Sequence, residues 1–137
     1  LGQKKTVEFG AYVGYEGGLS IWEKNYALKT IFKDKAAQIM VGANNVEIYF
    51  ESSNLEELLE NLVKYEIRVI HPIMEHPWGQ RAFRIYDPDK HIIEFGEPME
   101  SVVLRLHNEG LDLNAIVGKS LMPLEFIKNV LQSRKDS

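Results

Sequence analysis

Residues 46–51 alternate strictly, with Val46, Ile48 and Phe50 on one side and Glu47, Tyr49 and Glu51 on the other. That period of two predicts a strand with one face toward a core. Leu55, Leu58, Leu59, Leu62 and Val63 then recur at helical spacing. Ser53 with Glu56, or Asn54 with Glu57, supplies a cap and an acid three residues on. Beyond this helix, 67–74 reads as a short apolar strand ending near Pro72, and His76-Pro77-Trp78-Gly79 as a turn. Residues 81–86 and 91–95 read as antiparallel strands about the turn Asp87-Pro88-Asp89-Lys90. Upstream, 3–24 is rich in β-branched and aromatic residues punctuated by Gly10, Gly14 and Gly17-Gly18, which predicts hairpins. The pattern over 25–44 is less decisive, apolar at Tyr26, Leu28 and Ile31-Phe32 and loop-like at Lys33-Asp34-Lys35 and Gly42-Ala43-Asn44-Asn45. Downstream, helices are expected over about 100–108, 112–120 and 123–134, with Pro123 in a first turn.

Composition narrows the classes. The chain of 137 residues is 45% hydrophobic and 26% charged, which fits one globular domain and argues against disorder. No run approaches the roughly 18 apolar residues of a membrane span. Sixteen basic against twenty acidic residues give a net charge of −4, which excludes a general nucleic-acid binder. The basic residues of the tail (Arg105, Lys119, Lys128, Arg134, Lys135) are interspersed with acids and form no stripe for DNA. With no cysteine there is neither a disulfide framework nor a thiolate nucleophile, which suits a cytoplasmic protein.

The stretch from Pro77-Trp78-Gly79 through Arg81-Ala82-Phe83, Asp87-Pro88-Asp89-Lys90 and Ile93-Glu94-Phe95 resembles the signature of the vicinal oxygen chelate superfamily. That group includes glyoxalase I, bleomycin-resistance proteins, fosfomycin-resistance enzymes and extradiol dioxygenases. Only Lys90 departs, standing where the pattern has glycine, so a positive φ without glycine is expected there. The resemblance spans about residues 1–97. It implies an α+β fold in which paired βαβββ modules form a curved mixed sheet around a cavity, often completed across a dimer. The expected domain is 1–98, with module one over 1–44, module two over 45–98, and a helical extension over 99–137. Leu1-Gly2 fits the end of the first helix of such proteins, so the first strand and helix of module one are expected to precede Leu1.

In metal-using members the ligands come from the first and last strands of each module. The resemblance places the last of them on Glu94, a carboxylate flanked by Ile92, Ile93 and Phe95. Glu94 reads either as a metal ligand or general base, or as a structural carboxylate satisfied by Arg84 or backbone donors. The other visible positions fall on Asn45 and near Ser20, whose oxygens suit nickel, zinc or iron poorly; Glu47 could substitute, and a divalent nickel, zinc, manganese or iron ion stays open as a cofactor. His71, His76 and His91 read as turn or surface residues. Strand alternation lines the concave side with Ser20, Trp22, Asn45, Glu47, Tyr49, Arg84, Tyr86 and Glu94, and Trp78 joins them from its turn. Aromatic walls with convergent charges suit a planar or cationic ligand, whereas a free Arg84 fork would favour a carboxylate or phosphate.

The resulting expectation is a homodimeric small-organic-molecule binding protein of the glyoxalase/bleomycin-resistance type. It would have no standard catalytic metal and no nucleic-acid or membrane partner. Two alternatives stay open. One is a metal-dependent lyase, isomerase or thiol transferase built on Glu94, and the other is an interaction module acting through the C-terminal helices.

Overall fold

Glycine-punctuated hairpins shape the first of two units, Leu1–Met40, and the β-α-β-β-β order shapes the second, Val41–Ser137. The structure is a computed structural model that describes residues 3–38, 40, 42–44 and 46–133. In the first unit β1 (Lys5–Phe9), β2 (Tyr12–Tyr15) and β3 (Ser20–Trp22) form an antiparallel sheet in that order. Gly14 sits so close to Val7 that an added Cβ would lie 2.8 Å from Val7 Cγ1, so the hairpin needs glycine there. The segment that the pattern leaves undecided forms helical turns, and these include Lys33-Asp34-Lys35, which was expected to be loop. Glu23 accepts from the amides of Asn25 and Tyr26 at 2.8 and 2.7 Å, which starts a helical turn, α1 (Lys24–Ala27). Irregular helical turns continue from it to Gln38.

In the second unit the alternating segment forms β4 (Glu47–Glu51) and the leucine stripe forms α2 (Leu55–Leu62). Of the two candidate caps, Asn54 acts: its Oδ1 accepts from the Glu57 amide at 3.1 Å, and its Nδ2 donates to the Glu57 carboxylate at 2.9 Å. Asn54→Ala is expected to cost about 1 kcal/mol in urea denaturation. A loss indistinguishable from zero would show that α2 is held by packing alone.

The remaining strands are β5 (Arg68–Glu75), β6 (Arg81–Tyr86) and β7 (Ile92–Gly96), in the order β4-β7-β6-β5 with only the β4–β7 pair parallel. One face of this mixed sheet packs on α2. Leu55, Phe83, Ile85, Ile93 and Phe95 are buried there, with Ile48, Phe50, Leu58, Leu59 and Leu62 around them. Phe83 and Phe50 stack on Phe95 at 5.1 and 5.8 Å between ring centroids. Lys90 has φ 67°, as expected for a residue standing where the signature has glycine.

The tail forms α3 (Met99–Asn108), α4 (Leu113–Ser120) and α5 (Leu124–Ser133), close to the expected bounds. They bury Val102, Val103, Leu106, Ile116 and Ile127 in a core of their own. Arg105 of α3 ties this bundle to the sheet through the buried Glu97 at 2.6 Å and through Glu75 at 3.2 Å. Lys119 of α4 reaches the same Glu75 at 2.7 Å. Among the described residues no helix is long and apolar enough to cross a membrane.

Candidate functional site on the polar face of the second sheet

The face of the four-stranded sheet away from α2 carries the alternate residues Glu47 and Tyr49 of β4, Glu94 of β7, and Ala82, Arg84 and Tyr86 of β6. Register fixes their neighbours, because Glu94 stands opposite Tyr49 on one side and opposite Arg84 on the other. Arg84 is the centre. Its Nε donates to Glu47 Oε2 at 2.5 Å, and its Nη2 donates to Glu94 Oε2 and, at 3.5 Å, to Glu47 Oε1. Its Nη1 meets His71 Nε2 at 3.1 Å and His76 Nε2 at 3.3 Å. A guanidinium carries five N–H donors and no acceptor, so these five contacts use them all. The same asymmetry makes both imidazole Nε2 atoms acceptors, which assigns the Nδ1–H tautomer to both rings. His71 Nδ1–H then donates to the carbonyl of Pro72 at 2.8 Å.

His71 and His76 were expected to be turn or surface residues; His76 does lie in a turn, but both are half-buried and meet Arg84. In an unbroken strand His71 would share a face with Val69 and Ile73, which pack on the core. Register shifts lie on both sides of it, between Val69 and His71 and between His71 and Met74. The two bulges turn His71 across from Arg84, a re-aiming of the kind bulges produce beside functional sites. His76 is carried in by the turn after β5 and stacks on Trp78 with centroids 4.5 Å apart and planes 9° from parallel.

A second strand of contacts runs alongside. Trp78 Nε1 donates to Gln80 Oε1 at 3.0 Å. Gln80 Nε2 donates to the Tyr49 hydroxyl at 3.0 Å and to the Glu97 carbonyl at 2.9 Å. Gly96 makes room for this bridge, since a Cβ there would come within 2.9 Å of both Gln80 Nε2 and Tyr49 Cε2. Tyr86 shares the face but is engaged elsewhere, its hydroxyl donating to Asn44 Oδ1 at 3.0 Å and its ring lying 5.3 Å from the Arg68 guanidinium.

The environment separates the two carboxyls. The Arg84 hydrogen bond holds Glu47 below the usual glutamate range. Glu94 is pushed up to about 7, first by burial and then by the neighbouring Glu47 carboxyl, against the pull of Arg84. Burial and the Arg84 charge push His76 below its ordinary value. At neutral pH the cluster therefore holds one fixed anion, one fixed cation and one carboxyl that exchanges its proton.

Of the expected site residues, Glu47, Arg84 and Glu94 meet directly, and Tyr49 and Trp78 join through Gln80. Asn45 lies outside the described residues. Ser20 and Trp22 belong to the first unit, where Ser20 is exposed on β3 and Trp22 packs against Tyr12 and Tyr26 with centroids at 4.9 and 5.9 Å. His91 is turned to Asp87 at 2.9 Å and takes no part.

Metal-using members of the superfamily would hold a divalent ion near Glu94, and the donors here are not arranged for one. Two imidazole nitrogens and two carboxylates are present, but a guanidinium already donates to all four. Among the described residues no group of three or more histidines or acidic residues is arranged to hold a metal.

A β-α-β-β-β unit with a mixed sheet, an apolar face under one helix and a polar face of convergent side chains defines an α+β domain of the glyoxalase type. The chain belongs to the glyoxalase-like domain family, whose model matches residues 1–100. It is 33% identical to a protein of unknown function from Agrobacterium tumefaciens, at a TM-score of 0.57 over 71% of this chain and 75% of that one. The fold is shared with a glyoxalase/bleomycin resistance protein/dioxygenase from Nocardioides, 19% identical at a TM-score of 0.53 over 70% of this chain and 67% of that one. It is shared too with the fosfomycin resistance protein FosX of Listeria monocytogenes in complex with Mn(II) and sulfate, 15% identical at a TM-score of 0.50 over 77% of this chain and 78% of that one. No curated protein matches the chain.

Proposed function

We propose that this protein binds a small, flat organic molecule bearing hydrogen-bond donors on the polar sheet face, against Glu47, Glu94 and the His76–Trp78 stack. The observation that carries the reading is the burial of Glu94 to 6% exposure on the side of the sheet opposite the apolar core. A carboxylate there adds nothing to the packing of Phe83, Ile85 and Phe95, and burial penalises its charged form. A costly carboxyl kept among an arginine, two histidines and a stacked indole is the pattern of a functional site more than of a structural one. Because Arg84 has spent its donors, it leaves no fork for an anion. The groups that remain are carboxylate oxygens, the His76 Nδ1–H and aromatic faces.

FosX was solved with Mn(II), so a metal-dependent activity is the rival reading. The occupied donor set favours metal-free binding. Should the bound molecule carry an acidic proton, Glu94 is the group placed to take it. A homodimer and a cytoplasmic setting belong to the same proposal.

Benzamidine, benzamide and benzoate share a ring and differ in charge. In nitrogen-15 NMR titrations, benzamidine is expected to move the Trp78 indole signal and to bind about tenfold more tightly than benzoate, a difference of about 1.4 kcal/mol. Tighter binding of benzoate would reverse the charge preference. Unchanged spectra with all three at millimolar concentration would end the reading.

A further inference from the structure

Four side chains of types that bind divalent metals converge on one point of this sheet face. They come from four places in the chain: Glu47 from β4, His71 from β5, His76 from the following turn, and Glu94 from β7. The point holds a guanidinium carbon, tethered to β6 by the Arg84 side chain. Every one of the four directs an acceptor at it, the histidines through Nε2 and the glutamates through carboxylate oxygens. His71 has a further feature of a metal-binding imidazole, because its other ring nitrogen is anchored to a backbone carbonyl, here that of Pro72.

We propose that Arg84 is the built-in cation of this site: its guanidinium fills the place a divalent ion would take, and the four surrounding side chains form a metal site only when it is withdrawn. The inference does not rest on the identity of any organic ligand. A point charge bound by two imidazoles and two carboxylates is a chemically sound zinc, nickel or manganese site. A guanidinium satisfies the same acceptors at hydrogen-bonding distances of about 3 Å, longer than the roughly 2 Å of metal–ligand bonds. The four groups are therefore spread around a larger, planar cation, which accounts for the lack of a metal-ready cluster among the described residues. A tethered cation cannot dissociate or be chelated. It also offers no vacant coordination position, so whatever chemistry the site performs must come from the side chains around Arg84.

The test uses the whole protein and zinc or nickel alone. Histidine side-chain NMR of the native protein is expected to show Nδ1–H tautomers for His71 and His76, unmoved by either metal after prior chelator treatment. Arg84→Ala should gain zinc affinity by at least about a hundredfold, read by calorimetry and as a rise in Tm. Ethylguanidinium, which refills the vacated space, should compete with zinc for the variant and leave the native protein unaffected. Zinc binding to the native protein that moves both histidine signals would overturn the proposal. A folded Arg84→Ala protein that binds no more metal than the native one would overturn it equally. If that variant does not fold, the native spectra decide, because an Nε2–H tautomer on either ring is incompatible with acceptance from Arg84.

Discussion

Arg105→Ala is expected to destabilise the protein by about 3 kcal/mol, because it leaves the buried Glu97 short of its main charged partner. Glu97 is 5% exposed and takes Arg105 at 2.6 Å, with Arg81 at 3.3 Å as its second guanidinium. Arg105 also donates to the carbonyl of Gly79. That carbonyl belongs to the turn that presents Trp78 and Gln80, so the helical extension holds part of the candidate site in place. Two readouts follow. Urea denaturation should show the loss in stability, and the Trp78 indole signal should shift in the folded variant. The double variant Arg105→Met/Glu97→Gln should recover part of the loss, since breaking one partner of a buried pair costs more than replacing both. A single-variant loss below about 1 kcal/mol would show that Arg81 alone satisfies Glu97.

This dependence explains how much of the site could be read from the chain alone. Wherever period decides, the sequence is transparent: Ile48 and Phe50, Phe83 and Ile85, and the leucines of α2 face the core as their spacing requires. Glu47, Arg84 and Glu94 lie on the opposite face for the same reason, and cross-strand register does the rest. His71 was hidden because its parity belongs to the core. Only the two bulges around it bring it to Arg84, and bulge positions are set by pairing between strands, which a single strand's pattern does not carry. Pro72, which has no amide hydrogen to give to the ladder, was the one local hint of irregular pairing. His76, Gln80 and Glu97 depend on the path of a turn and on a helix that docks on it, so no local spacing marks them. Arg84 was legible on the right face, with neutralisation by Glu47 and Glu94 one of the open readings, but its saturation by His71 and His76 was not. That distinction requires all five of its partners and weighs against the carboxylate or phosphate that a free fork would favour.

The stability of the native protein should fall relative to Glu94→Gln as pH rises from about 4.5 to about 7. Glu94 is raised from its ordinary 4.5 to about 7, so between those values the folded protein keeps a proton that the unfolded chain has released. Its contribution is therefore fully present below pH 4.5 and lost as pH rises through about 7, a change of roughly 3 kcal/mol. Two neighbours titrate differently. His76, pushed below 6.5, contributes stability that is present above 6.5 and lost as pH falls, the opposite slope within an overlapping window. Glu47, pushed below 4.5, acts only under that value. His76 owes nothing of its shift to Glu94, and Glu47 titrates below the window, so above pH 4.5 the difference between the curves reports Glu94. Urea denaturation from pH 4.5 to 8 should show curves that diverge by roughly 3 kcal/mol, with the native protein losing ground toward neutrality. Parallel curves would mean that Glu94 ionises as an ordinary carboxyl, held as a plain ion pair by Arg84. The same titration bears on function, because a donor-bearing ligand favours the charged carboxylate and should release a proton when it binds near neutral pH. Calorimetry of benzamidine binding in two buffers of different ionisation enthalpy measures that release. A buffer-independent heat would separate ligand binding from Glu94 and move the contact to the His76–Trp78 stack.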